Sequence, residues 1–192
     1  MEDPNPYATA IHEAGHAVIG TLVGLNVTHL TVVPADGNLG MVTYDEEYVP
    51  EVRQILDDQD FTIEVNMAIY YPDEIEVARR DLAKHAMFSL AGPNAEMRHT
   101  GAWDNAGAQS DMERIELLLR VFFFDFIDFS GVSEDDAPAL QAAVSYYDGP
   151  TVEEYLDNPL VWSWIEKVAD TAYARGEMTG DEIRALRPAG LT

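Results

Sequence analysis

Residues 6–25, PYATAIHEAGHAVIGTLVGL, decide how this chain is read. Tyr7, Ile11, Ala14, Val18, Leu22 and Leu25 recur at helical spacing, which predicts a helix with a long apolar face. Asn5-Pro6 ahead of them is a fitting helix start. Within that helix stands His12-Glu13-Ala14-Gly15-His16, an H-E-x-x-H pentapeptide. Side chains four residues apart share a helix face, so His12 and His16 can grip one metal ion. Glu13 then stands beside the metal, where a carboxylate can take a proton from a water. The composition would produce such a pentapeptide in roughly 1% of shuffled sequences, so chance is a weak rival. Gly15 is a poor helix former, and its presence suggests that another element approaches the site closely.

Outward from this helix, residues 27–33 (VTHLTVV) are β-branched and predict a strand. Residues 34–38 (PADGN) form a turn cluster, and 39–44 (LGMVTY) read as the returning strand of a hairpin. Residues 45–60 read as an acidic surface loop with a short helix near Val52 to Leu56, and Phe61 to Tyr71 fit strand or helix. Pro72-Asp73 starts a long helix to about His99, with Ile75, Ala78, Leu82, Ala86 and Leu90 inward and a break or kink expected at Gly92-Pro93. Gly101 to Gly107 is a loop before a helix that carries Ile115, Leu118, Leu119, Phe122 and Phe126. The aromatic run FFFDFIDF, residues 122–129, reads as core or a subunit contact. Helices are then expected from Ser133 to about Tyr147, from Thr151 through Trp162 and Trp164, and from Thr179 onward. The fold class that follows is mainly α (α+β): a helical domain with a small β-hairpin or sheet.

The 192 residues suit one domain able to bury a core. The chain carries 35 acidic against 11 basic residues, a net charge of −24, which would repel nucleic acid and anionic membrane and excludes both as expected partners. Such a surface also suits basic partners or a salt-rich cell. With no cysteine, disulfides and thiolate metal sites are excluded, and a metal must use histidine and carboxylate. The acidic start lacks a signal peptide, and the longest uncharged apolar stretch, Ala17 to Val27, is too short to span a bilayer. A cytoplasmic location is the expectation.

A catalytic zinc takes three protein ligands and leaves one position for water. A third histidine six residues after His16 is excluded, because Leu22 stands there. A glutamate from a later helix (Glu96, Glu113 or Glu116) would serve. So would Asp111, near a helix start where free N–H groups stabilise a carboxylate. Asp111 is equally readable as a simple helix cap. His29, His85 and His99 read as packing or surface residues.

Four segments in order resemble the peptidase domain of the FtsH/M41 family, the membrane-bound AAA+ zinc proteases. They are residues 11–19 (IHEAGHAVI), 30–44 (LTVVPADGNLGMVTY), 90–101 (LAGPNAEMRHTG) and 107–114 (GAQSDMER). The ending at 176–186, GEMTGDEIRAL, also resembles that family's C-terminal turn and helix. The first and fourth segments are the specific ones. The resemblance implies a single domain over 1–192, with the metal-binding helix in 1–26, the hairpin in 27–44 and the helical part in 72–192. It implies Zn²⁺ held by His12, His16 and Asp111, Glu13 as the catalytic base, and Glu96 as a carboxylate that orients a ligand histidine. The chain departs from the family in having Pro93, Asn94 and Met97 in the third segment and no Gly-x-x-x-x-Gly-Lys-Ser/Thr phosphate loop. The expected activity is thus an ATP-independent zinc endopeptidase acting on unfolded or flexible protein or peptide. The alternative is a catalytically inactive metal-binding or assembly module. A second copy of the chain or a separate ATPase stays open as partner.

Overall fold

A computed structural model describes residues 5–35, 37–45, 72–104, 107–113, 115 and 144–191, with backbone alone for 72–78. The expectations for residues 46–71, for Leu118 to Phe126, for the 122–129 run, and for most of the helix from Ser133 lie outside the described residues, as does Glu116.

The fold is mainly helical with a three-stranded antiparallel sheet in the order β2-β1-β3. Helix α1 (Pro6–Leu22) is the central element. The Asn5 side chain caps it by accepting from the Ala8 N–H, and Pro6 occupies its first turn, where a missing N–H costs nothing. Twelve of its residues, including Ala10 through Gly20 without interruption, are buried. A helix covered all round belongs at the middle of a core, and α1 has α2 (Pro72–Thr100) and α4 (Pro159–Arg175) as its main neighbours. The approach of α1 to α2 is set by small residues. A methyl group on Gly15 would come within 2.7 Å of the Ala91 carbonyl oxygen and of the Ala95 methyl, so the two backbones pass closer than larger side chains allow.

The expected break in α2 at Gly92-Pro93 does not occur: the helix runs through Pro93 to Thr100. Pro93 cannot donate to the Ser89 carbonyl four residues back. Packing on both sides of it outweighs that loss, because Met87, Ala91 and Ala95 are all inside the core that α1 shares. The Asn94 side chain donates to the Leu90 carbonyl across the same turn (2.8 Å).

Strands β1 (Asn26–Thr31) and β2 (Met41–Asp45) form the expected hairpin, with a bulge between Val27 and His29. Val27 and Leu30 of β1 are buried against the helical core. A third strand, β3 (Glu177–Thr179), adds to the other edge of β1, pairing Leu30 with Met178. It follows Gly176, whose φ of 88° ends α4 in a backbone region that favours glycine. Helices α3 (Val152–Asp157) and α5 (Gly180–Ala185) each begin with a capping box, Thr151 with Glu154 and Thr179 with Glu182. Trp164 of α4 is fully buried and donates its indole N–H to the Ile183 carbonyl of α5 (2.9 Å), which ties the C-terminal helix to the core. No helix among the described residues is long and apolar enough to cross a membrane.

Candidate metal centre

One turn of α1 points His12 and His16 the same way, and Asp111 meets them from the helical segment 109–113. His12 Nε2 lies 3.0 Å from His16 Nε2 and 3.1 Å from Asp111 Oδ2, and His16 Nε2 lies 3.2 Å from Asp111 Oδ1. Ligand atoms about 2.0–2.1 Å from a tetrahedral zinc are about 3.3 Å from one another. The three facing atoms therefore already stand at nearly the spacing of one ion's ligands. His12, Glu13 and His16 are all buried.

The outer nitrogens of both rings are committed. Glu96 Oε2 accepts from His12 Nδ1 (2.8 Å), and the Phe88 carbonyl accepts from His16 Nδ1 (2.7 Å). A carbonyl only accepts, so neutral His16 carries its proton on Nδ1 and turns a lone pair on Nε2 inward. When His12 is neutral, the same logic turns its Nε2 lone pair inward beside the Asp111 carboxylate. Three electron-rich atoms then face one point, a group that could hold a cation. Two imidazole nitrogens with a carboxylate oxygen are a donor set that suits zinc.

The electrostatics reflect the closeness of these groups. Burial alone would pull the His12 pKa down, but its hydrogen bonds to Asp111 and Glu96 and the charge of Glu13 push it up to about 10. Burial would raise the Asp111 carboxyl, yet the His16 and His12 charges and hydrogen bonds hold it well below the usual carboxylate range. Glu13 goes the other way. Its burial raises its pKa against the pull of His16 and His12, which makes it a stronger proton acceptor than a solvated glutamate.

Of the residues singled out from sequence, His12, Glu13, His16, Glu96 and Asp111 come together here, with Glu96 behind His12 rather than in the ligand triangle. Glu113 does not join them: it is exposed and accepts from Gln109 on its own helical turn (2.9 Å). His29 is part-exposed on β1, 3.4 Å from Glu177, and His99 packs edge-on against Tyr7. His85 is buried, hydrogen-bonded to the Tyr44 hydroxyl (2.8 Å).

The sequence reading missed three close neighbours. The Phe88 ring stacks on His16 at 4.8 Å between centroids, in addition to its carbonyl contact. Gly92 leaves the space that the His16 ring occupies, since a methyl group there would collide with Nε2. Gly40 does the same for Glu13, whose Oε1 would lie 2.7 Å from a methyl at that position. Phe88, Gly92 and Glu96 recur every four residues on one face of α2, and that spacing was the available signal. A scan against protein-family models finds none that matches this chain, and no curated protein matches it.

Proposed function

We propose that the protein is a zinc-dependent endopeptidase of M41-like type, acting without ATP on unfolded or flexible polypeptide. The observation that carries this reading is the buried carboxylate of Glu13, which follows His12 in the chain and lies within electrostatic reach of the His12, His16 and Asp111 triangle. A zinc ion held by these three residues would supply Lewis acidity, acidifying a water and polarising a substrate carbonyl. Glu13 takes the proton of the attacking water and returns it to the leaving amine. Glu96 and the Phe88 carbonyl hold the two imidazoles in the tautomer that offers Nε2. Strand β2 supports a substrate path: among the described residues only β1 pairs with it, and Gly40 just ahead of it lies on Glu13. An extended peptide added to that edge would run past the base.

The test is paired measurement of metal content and casein cleavage on wild type and Glu13→Gln. The expected result is about one zinc per chain in both, with cleavage by wild type alone. Equal cleavage by both proteins refutes the role of Glu13.

A second reading is supported by burial. Glu13 is only 7% exposed and His16 only 4%, which also suits a metal-binding module without catalysis, stabilised by its ion. Metal-loaded wild type that cleaves no unfolded protein would favour that reading.

A further inference from the structure

Strand β2 reaches the candidate metal centre at two points. Just ahead of it Gly40 lies on the Glu13 side chain. Near its end Tyr44 places its ring on Phe88, with centroids 4.7 Å apart, and hydrogen-bonds its hydroxyl to His85 Nδ1 at 2.8 Å. His85 and Phe88 are one turn apart on α2, and both are buried. Phe88 in turn holds His16 twice, by ring stacking and through its carbonyl. A buried polar side chain such as His85 is costly unless paired, and Tyr44 supplies a partner from a different element.

We propose that Tyr44 is a positioning residue: anchored by His85, it seats Phe88 and thereby fixes the His16 ring relative to strand β2. The proposal rests on the metal-peptidase reading and adds to it a mechanical link between the strand offered to substrate and a metal ligand. Its logic is geometric. The hydroxyl contributes one hydrogen bond with a defined direction, so it orients the Tyr44 ring, whereas ring burial alone leaves that orientation free. A ligand imidazole held a few tenths of an ångström off its place alters the ion's ligand field and the alignment of the reacting atoms.

The experiment uses the full chain with cobalt chloride as the probe, since the visible spectrum of protein-bound Co²⁺ reports ligand geometry apart from activity. Tyr44→Phe removes only the hydroxyl. His85→Asn keeps a polar atom near the Nδ1 position. The expected result is a shifted Co²⁺ spectrum for Tyr44→Phe, with kcat on a flexible peptide lowered about five- to tenfold and KM within about twofold of wild type. His85→Asn should retain the wild-type spectrum. Thermal melts of both variants establish that they are folded. A Tyr44→Phe spectrum identical to wild type overturns the proposal whatever the rate, and leaves the metal reading intact. Wild type that takes up no Co²⁺ overturns both.

Discussion

Glu96 Oε2 lies 2.8 Å from His12 Nδ1, on the side of the ring opposite the facing ligand atoms. Eighty-four residues separate the two in sequence, and the contact exists because α2 lies along α1 with Gly15 against Ala91 and Ala95. A carboxylate in this place fixes the imidazole's tautomer and strengthens its inner nitrogen as a donor. Glu96→Ala should therefore weaken zinc binding about 10- to 100-fold, while Glu96→Gln, which keeps an acceptor oxygen, should lose less. Competition with a chromophoric chelator measures both. Equal affinities for Glu96→Ala and wild type would show that Glu96 is only a buried carboxylate.

The two glycines that flank the site should behave differently when given a methyl group. At Gly92 the obstacle is the ring of His16, which also stacks on Phe88 of the same helix α2. Gly92→Ala should thus cost stability, about 1–3 kcal/mol for an overpacked core, and displace a ligand as well. At Gly40 the obstacle is the flexible end of Glu13, which can swing aside. Gly40→Ala should keep stability within about 1 kcal/mol of wild type and keep metal affinity, yet lose peptide cleavage. Denaturant melts and metal titration on both variants separate the two cases, and a Gly40→Ala protein with full activity would remove Gly40 from the account of Glu13.

Much of this arrangement was legible in the sequence because its determinants are local. The helix of His12 and His16 follows from apolar spacing and the Asn5-Pro6 start, and the α3 and α5 starts follow from their capping residues. The hairpin followed from its β-branched run and turn cluster. Strand β3 was not legible, because Glu177-Met178-Thr179 is too short to alternate and is a strand only through pairing with β1. Pro93 does not break α2 for the converse reason: its local cost is real, and the long-range packing that overrides it is invisible to spacing. The Asp111 assignment needed the resemblance, since spacing alone left a helix cap equally good. Glu113, two residues on, is on the wrong face of the same turn.

Trp164 tests whether the aromatic residues of the C-terminal half are core. It is fully buried, its indole N–H bonds the Ile183 carbonyl, and Arg187 lies over its ring. Trp164→Ala should cost about 3–5 kcal/mol by opening a large cavity. Trp164→Phe should cost less, leaving mainly the Ile183 carbonyl without its donor. Trp164 bonds Ile183 and not a residue of the candidate metal centre, so the folded fraction of Trp164→Phe should retain wild-type zinc affinity. Urea denaturation with metal titration checks this, and a Trp164→Phe protein that folds but binds zinc weakly would contradict it.

The metal-free protein should lose stability as the solution becomes alkaline. His12 is raised from 6.5 to about 10 in the folded chain, where the Asp111 and Glu96 hydrogen bonds outweigh its burial. A group whose folded pKa exceeds its unfolded one stabilises fully below the unfolded value, so this contribution is complete below pH 6.5 and fades as pH rises toward 10. Glu13 has the same sign: its raised pKa favours the fold below 4.5 and ceases to do so above its folded value. Asp111 has the opposite sign, since its depressed pKa stabilises above 3.8 and the benefit is lost as pH falls further. Zinc must displace the His12 proton, because a ligand imidazole is neutral. Binding at pH 7 should therefore release about one proton, measured by calorimetry in buffers of different ionisation enthalpy. At a fixed free zinc concentration the stabilisation, about 2.7 kcal/mol where that concentration is 100 times Kd, should grow as pH rises through this window because Kd falls. Metal-free stability that increases from pH 6.5 to 10, or zinc uptake without proton release, would show that His12 does not hold its proton between Asp111 and Glu96.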